Sequence, residues 1–207
     1  MNQQRWFALM QSLHLPDGED TFKALCEAYR EPHRHYHTLR HITDSLEQFD
    51  LLRGQAKQPE TIELAIWFHD AIYQPYRANN EQKSADWALR FLRSVGADNE
   101  LLSRVQTLIL ATQHQANSRD IDTSILIDVD LAILGADPDR YRTFEQAIRR
   151  EYRWIPDFLY RRKRTEILSS FLHRAKIFTS ERFCIRYEAQ ARENLHLAIK
   201  LLQLKKH

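Results

Sequence analysis

The stretch Leu64-Ala-Ile-Trp-Phe-His-Asp-Ala-Ile-Tyr73 is apolar on nearly every side apart from one His-Asp pair. It follows Pro59, which suits the first position of a helix because its φ angle is already helical and its missing N–H costs no hydrogen bond there. A helix that is apolar all round is usually buried. The sequence therefore predicts a central, buried helix that carries His69 and Asp70.

Glycine and proline divide the rest of the chain into further helical segments. The 4 glycines and 6 prolines fall where the apolar periodicity breaks. Between these breaks apolar residues recur at helical spacing, and so few turn-forming residues are poorly suited to a sandwich or a barrel. We expect an all-α protein of about nine or ten helices.

The predicted helices have the following approximate bounds. The first two centre on Trp6–Leu13 and Phe22–Tyr29, and the later ones cover 38–53, 59–73, 81–95, 99–112, 123–134, a segment from Pro138 to about Tyr152, a segment after Pro156, and 183–202. Residues 113–120 are predicted to form a loop. A chain of 207 residues and 24.7 kDa is long enough for one domain with a sizeable core, so we expect a single domain over 1–207.

Charge is balanced overall but not along the chain. Lys and Arg total 30 against 28 Asp and Glu, so the net charge of +2 favours neither nucleic acid nor an anionic membrane, and 43% hydrophobic residues exclude a disordered chain. Residues 1–137 carry a net charge of −7 (13 basic, 20 acidic) and residues 138–207 one of +9 (17 basic, 8 acidic). Two interpretations stay open: the halves attract each other, or the C-terminal cations face an anionic ligand near an acidic site.

Cysteine usage and the N-terminus predict a cytoplasmic protein. Cys26 and Cys184 are 158 positions apart and form no CxxC pair, so we expect neither a disulfide scaffold nor a thiolate zinc site. The N-terminus lacks a signal-peptide pattern, and the longest uncharged run, 105–118, has only 14 residues, so no membrane partner is expected. The sequence also lacks GxxxxGK[ST], GxGxxG, HExxH and GxSxG motifs, which disfavours the chemistries that use them.

Acidic and imidazole side chains interrupt three apolar helical segments. They are His41, the pair His69-Asp70, and Asp128 with Asp130. Burying such groups costs several kcal/mol unless a partner compensates them, and one divalent cation would satisfy them together. Imidazole nitrogen with carboxylate oxygen suits a transition metal better than calcium. Residues two apart on a helix point about 200° apart, so Asp128 and Asp130 cannot both bind one ion from a regular helix.

The pattern of a His, a later His-Asp pair and a distant Asp resembles the HD superfamily of metal-dependent phosphohydrolases. Four blocks are similar to those of a bacterial subgroup described as predicted HD phosphohydrolases: Tyr36-His-Thr-Leu-Arg-His-Ile42, Trp67-Phe-His-Asp-Ala-Ile-Tyr73, Asn80-Glu-Gln-Lys-Ser-Ala85 and Asp128-Val-Asp-Leu-Ala-Ile-Leu-Gly135. The segments 150–154 and 187–195 resemble its C-terminal part. The resemblance implies an HD-type domain with a metal-binding core over about 36–135 and a helical C-terminal part over about 138–207.

The resemblance also implies the ligand set and the reaction. By position, His41, His69, Asp70 and Asp130 match the family's four metal ligands, which leaves Asp128 to cap, to form an ion pair or to orient a ligand histidine. We expect one divalent ion (Mn, Co, Ni, Zn, Fe or Mg). Water bound to this ion would attack the phosphoester of a nucleotide or another small phosphorylated metabolite.

Four further positions are weaker candidates. Glu81 is a candidate for handling the proton of the attacking water, and helix capping explains it equally well. His114 lies where two-metal relatives carry extra histidines; with one histidine there, we expect a single metal and a catalytic role for His114 on substrate or bound water, or no role at all. Lys83 and Arg77 are candidates for binding phosphate. Asp70, already in the ligand set, is also a candidate catalytic residue. His33, His35 and His37 are interpreted as surface residues with no ligand role.

Alternative functions come from other features of the chain. An HD-type protein could act as a ligand-binding or regulatory module without catalysis. The basic run 161–164, with Arg149, Arg150 and Arg153 and nearby aromatic residues, is a mixture that nucleic-acid binders use, so a nucleic-acid binder with a structural metal is a further alternative. A third alternative, oxidative chemistry at two irons, needs more histidine ligands than can be placed at one site from the sequence. Formation of a homo-oligomer is left open.

Overall fold

The computed structural model describes residues 2–113 and 120–204. Within these ranges the chain forms ten α-helices, two short 3-10 helices and no β-strand, which confirms the predicted all-α fold class. The α-helices are α1 (Gln3–Ser12), α2 (Glu19–Ala28), α3 (Leu39–Leu52), α4 (Pro59–Phe68), α5 (Asn80–Ser94), α6 (Asn99–Ala111), α7 (Ile121–Leu131), α8 (Pro138–Glu151), α9 (Asp157–Leu172) and α10 (Glu181–Leu204). The 3-10 helices are Arg53–Gln55 and Ala132–Gly135.

Local signals set several helix ends as the sequence predicts. At the start of α8, Asp137 accepts a hydrogen bond from the backbone N–H of Arg140, and Pro138 occupies the first helical position. After α5, Gly96 adopts a left-handed φ of 76°, and the N–H of Ala97 closes the helix by donating to the carbonyl of Leu92.

The chain divides into two compact units, Met1–Val129 and Asp130–His207. The division falls inside α7, one residue before Asp130, although the helix itself is continuous from Ile121 to Leu131. The sequence predicts the metal-binding core to end near residue 135, and the single domain over 1–207 stays a prediction.

The core of the first unit surrounds α4. Residues 64–68 of this helix are completely buried, and α4 packs against α1, α3, α5 and α6. The Trp67 ring makes an edge contact with Trp6 at a centroid distance of 5.6 Å, and Phe68 stacks on Phe91 at 5.8 Å. Each such ring contributes about 1.5–3 kcal/mol by burial alone. The prediction of a central, buried helix is therefore confirmed for this unit.

The predicted C-terminal end of that helix is wrong. We expect the helix to continue to Tyr73, but α4 ends at Phe68. In the turn that follows, the Arg34 guanidinium donates hydrogen bonds to the carbonyls of Asp70 and Ala71. Arg34 comes from a distant part of the chain, and neither Gly nor Pro marks the stop locally. The His-Asp pair thus lies in a turn at the end of the helix.

A buried carboxylate connects α7 to the start of α4. Asp122, in the first turn of α7, has no exposed surface. Its oxygens accept hydrogen bonds from the backbone N–H groups of Lys57 (2.7 Å) and Gln58 (3.1 Å), just before α4, and from Arg104 (3.2 Å). These bonds anchor the helix that carries Asp128 against the helix that leads to the His-Asp pair.

The second unit places the 3-10 helix Ala132–Gly135 directly on α10. A Cβ atom at Gly135 would lie 2.5 Å from Tyr187 Cβ and 2.8 Å from the Tyr187 carbonyl oxygen. At the same junction, the amide of Asn194 on α10 donates to the carbonyls of Leu134 and Ala136, each at 2.8 Å. The absence of a side chain at Gly135 therefore allows this close approach.

A mostly buried ion pair joins α8 to α9 in the second unit. The Arg164 guanidinium donates two hydrogen bonds to Glu145, at 2.5 and 3.1 Å, and only 12% of the Arg164 side chain is exposed. Tyr141 also donates to Glu145, at 2.9 Å. Burial, with the Glu145 charge nearby, raises the pKa of Tyr160 to about 12 in spite of the opposing effect of Arg164.

Replacing Glu145 by alanine is expected to lower the free energy of unfolding by about 3 kcal/mol, because Arg164 is left without its partner in a mostly buried place. The urea midpoint of unfolding measures this loss. The matched variant is Glu166→Gln on α9, whose carboxylate pairs with Lys163 at the surface and is half exposed, and its midpoint should not change. Equal midpoints for both variants would contradict the prediction.

The basic run of α9 is largely neutralised within the unit. Arg164 pairs with Glu145, Arg161 with Asp157, and Lys163 with Glu166. These pairs reduce the free positive charge that a nucleic-acid phosphate could use. Among the helices in 2–113 and 120–204, none combines the length and the apolar character needed to cross a membrane.

Candidate metal centre

Two buried imidazoles meet where α3 begins and α4 ends. His41 lies in the first turn of α3 and His69 follows the last residue of α4, and their side chains are only 3% and 2% exposed. The rings make an edge contact at a centroid distance of 5.2 Å, and their Nε2 atoms are 3.1 Å apart. Both Nε2 atoms therefore face the same point.

Two carboxylates complete the cluster. Asp70 Oδ2 lies 3.0 Å from His69 Nε2 and 3.4 Å from His41 Nε2. Asp130, near the end of the continuous helix α7, places a carboxylate oxygen within 4.8 Å of a ring nitrogen of each histidine. The structure thus brings together the four residues that the sequence predicts as ligands.

A backbone hydrogen bond determines which nitrogen of His69 faces the cluster. His69 Nδ1 lies 2.9 Å from the carbonyl oxygen of Ile66. A carbonyl oxygen only accepts, so Nδ1 carries a proton and donates it, and Nε2 is the nitrogen that faces the cluster. Such a bond orients a metal-binding histidine and favours the required tautomer.

The donor set and its spacing fit a divalent transition metal. Two nitrogens each about 2.05 Å from one ion are about 2.9 Å apart at a right angle and about 3.3 Å apart at the tetrahedral angle. The 3.1 Å between the His41 and His69 Nε2 atoms falls between these values. Two imidazoles with carboxylate oxygens suit Zn, Mn, Fe, Co or Ni. A group of this kind, His41, His69 and Asp130, could hold a metal ion.

Asp70 is held in its charged form by its neighbours. Burial would raise the pKa of its carboxyl group, but His69, His37 and His41 oppose this effect and hold the pKa of Asp70 well below its usual range. Its side chain is still 16% exposed, whereas both histidines are almost fully buried. Solvent and a ligand would therefore reach the cluster from its carboxylate side.

The two aspartates of α7 differ in environment. Asp130 belongs to the cluster and is half-buried, whereas Asp128 is completely buried one half-turn earlier. This difference follows from the rotation of about 200° between residues two apart on a helix.

His37 lies beside the cluster, although the sequence predicts it to be a surface residue. The His37 ring stacks on Tyr73 at a centroid distance of 4.0 Å and makes an edge contact with His41 at 5.9 Å. It is half-buried, as is His33, whereas His35 is exposed. His33 and His37 are therefore partly exposed residues, and the ring of His37 also packs beside the cluster. The pattern of alternating histidines before a helix does not indicate which of them packs against distant residues.

The turn after α4 is also held from α5. The Ser84 hydroxyl accepts a hydrogen bond from the N–H of Ile72 at 3.0 Å, and the Asn80 side chain bonds both backbone groups of Gln74 at 3.0 Å. Asn80 and Ser84 lie one helical turn apart in the block 80–85. Their role is to fix the chain that follows the His-Asp pair, which sequence spacing alone does not indicate.

The weaker candidates lie outside this network. Glu81 and Lys83 are half-buried in the first turns of α5, and Arg77 is exposed with its guanidinium 5.9 Å from the ring of Tyr76. Within residues 2–113 and 120–204, no hydrogen bond or ion pair joins these three side chains to the four clustered residues. His114 lies outside the described residues.

Comparison of the chain with protein-family models, curated proteins and solved structures finds no match.

Proposed function

We propose that this protein is a metal-dependent phosphohydrolase whose metal is held by His41, His69, Asp70 and Asp130. The observation that carries the proposal is the approach of two buried Nε2 atoms to 3.1 Å with Asp70 Oδ2 at 3.0 and 3.4 Å from them. Without an ion, this arrangement holds several polar groups close together with two of them almost fully buried, which is costly unless they share a partner. The resemblance to HD phosphohydrolases supports the same conclusion.

The chain's own residues prepare the site for an anionic substrate. The hydrogen bond from His69 Nδ1 to the Ile66 carbonyl orients the ring so that Nε2 faces the cluster. A bound divalent ion supplies Lewis acidity and lowers the pKa of water. His37, half-buried beside the cluster, can donate a hydrogen bond to a phosphate oxygen, and Glu81 is our candidate acceptor for the proton of the attacking water.

The substrate that we propose is a nucleotide or another small phosphorylated metabolite. The cluster is reached from the side of Asp70, whose side chain keeps 16% exposure. Arg77, exposed on the connection between α4 and α5, is our candidate contact for substrate phosphate, with Lys83 on α5.

The proposal is tested with protein that a chelator has stripped of metal. The protein is reloaded separately with Mn, Co, Ni, Mg, Zn or Fe and mixed with nucleoside mono-, di- and triphosphates and with simple phosphomonoesters. We expect phosphate or diphosphate release that requires one of these ions, disappears on chelation and returns on reloading. Colorimetric phosphate assay and phosphorus NMR measure the products.

Three results would contradict this function in different ways. Stoichiometric metal without release from any substrate would support a ligand-binding or regulatory module. Failure of the wild type to bind any divalent ion would make the cluster a buried polar network. A steep salt dependence of nucleic-acid binding would instead favour the nucleic-acid alternative.

A further inference from the structure

A buried cation, the Arg34 guanidinium, bonds the backbone next to the proposed metal site. The Arg34 side chain has no exposed surface, and its Nε donates to Glu31 at 2.9 Å. Its guanidinium carbon lies 5.1 Å from the ring centroid of Tyr29 and 5.6 Å from that of Tyr73. A permanently charged group is costly to bury, so this guanidinium must be well bonded.

The remaining donors of Arg34 join two segments that carry proposed ligands. Nη1 donates to the carbonyls of Asp70 at 2.6 Å and of His37 at 3.2 Å, and Nη2 donates to that of Ala71 at 2.9 Å. Asp70 and Ala71 belong to the turn after α4, whereas His37 lies four residues before His41. One side chain therefore connects the backbone on both sides of the cluster.

We propose that Arg34 is the positioning residue of this site. It holds the His69-Asp70 turn against the segment that leads into α3, and this connection sets the distance between the His41 and His69 Nε2 atoms. The planar, five-donor guanidinium reaches three carbonyls and a carboxylate together, which the single ammonium of lysine cannot do. The expected effect of Arg34 on metal affinity rests on the proposed function. Its expected effect on the positions of the two imidazole rings does not.

The first test uses metal-free protein and the variant Arg34→Lys, which keeps the charge. Nitrogen-15 NMR of the imidazoles reports tautomer and hydrogen bonding. In the wild type we expect signals for a proton on His69 Nδ1 and for a hydrogen bond between the two Nε2 atoms. In Arg34→Lys the second signal should be lost while circular dichroism shows a folded protein.

The matched control is Arg5→Lys. Arg5 also joins the helices on either side of the site, because it pairs with Asp50 on α3 and with Glu63 on α4. It bonds side chains rather than the backbone of the His69-Asp70 turn. Arg5→Lys should therefore lower stability without changing the imidazole spectrum, and a similar change in both variants would overturn the proposal.

The second test measures Co²⁺ affinity by absorption spectroscopy on the same proteins. Arg34→Lys should bind Co²⁺ about 10–100-fold more weakly than the wild type, as expected when an outer group orients the ligands, and Arg5→Lys should bind as the wild type does. Unchanged affinity in Arg34→Lys would overturn the positioning role. If the wild type binds no metal, the proposed function fails, while the imidazole spectra still decide the role of Arg34.

A measurement on the wild type covers the case in which Arg34→Lys does not fold. The guanidinium N–H protons of Arg34 should exchange slowly with solvent, because they are buried and bonded to carbonyl oxygens. Fast exchange of these protons in the folded wild type would overturn the proposal.

Discussion

On the proposed function, replacing Asp70 by alanine is expected to remove the divalent ion from the purified protein and to abolish metal-dependent phosphate release. Asp70 Oδ2 is within 3.4 Å of both histidine Nε2 atoms, so its loss removes a proposed, negatively charged ligand from the cluster. We expect metal affinity to fall by at least about 100-fold. This is the largest loss usually seen when a residue that only orients a metal ligand is replaced. Elemental analysis and phosphate assay measure the two effects.

The matched control is Glu47→Gln on α3, the helix that carries His41. Glu47 is exposed, so its variant should keep both metal and activity. Asp130→Asn should resemble Asp70→Ala, since Asp130 belongs to the same cluster. Asp70→Ala that retains stoichiometric metal and full activity would show that the ion is bound elsewhere.

The second large effect is expected at Gly135 in the second unit. Alanine there would place its Cβ 2.5 Å from Tyr187 Cβ and 2.9 Å from Tyr187 Cα, on the body of α10. Because a backbone atom cannot rotate away, the 3-10 helix and α10 must separate, which also weakens the bonds of Asn194. We expect a loss of about 3 kcal/mol in the free energy of unfolding.

Gly54→Ala is the control for this substitution. Nothing lies within 4 Å of a Cβ at Gly54, so alanine should be tolerated there. Alanine should raise the free energy of unfolding by up to about 1 kcal/mol, because it lowers the conformational entropy of the unfolded chain. Urea unfolding of both variants measures the difference. A Gly135→Ala variant as stable as the wild type would mean that α10 does not approach Gly135 this closely.

Much of the secondary structure could be predicted because its signals are local. The cap at Asp137, the proline at the start of α4 and the left-handed Gly96 act on the residues next to them. The end of α4 could not be predicted in this way. Phe68 is followed by residues that are compatible with a helix, and the hydrogen bonds of Arg34 that favour the turn come from a different segment.

Some residues of the candidate site could likewise be predicted from the sequence, and others could not. The sequence by itself determined an all-helical chain and marked the polar residues that interrupt its apolar segments, His41, His69-Asp70 and the pair Asp128 and Asp130, while the choice of Asp130 came from the resemblance to the HD superfamily. Only the tertiary structure decided that His37 stacks beside them and that Arg34 bonds the backbone behind them. Helix propensity and amphipathic spacing depend on neighbours within a few residues, whereas these contacts depend on how distant segments pack.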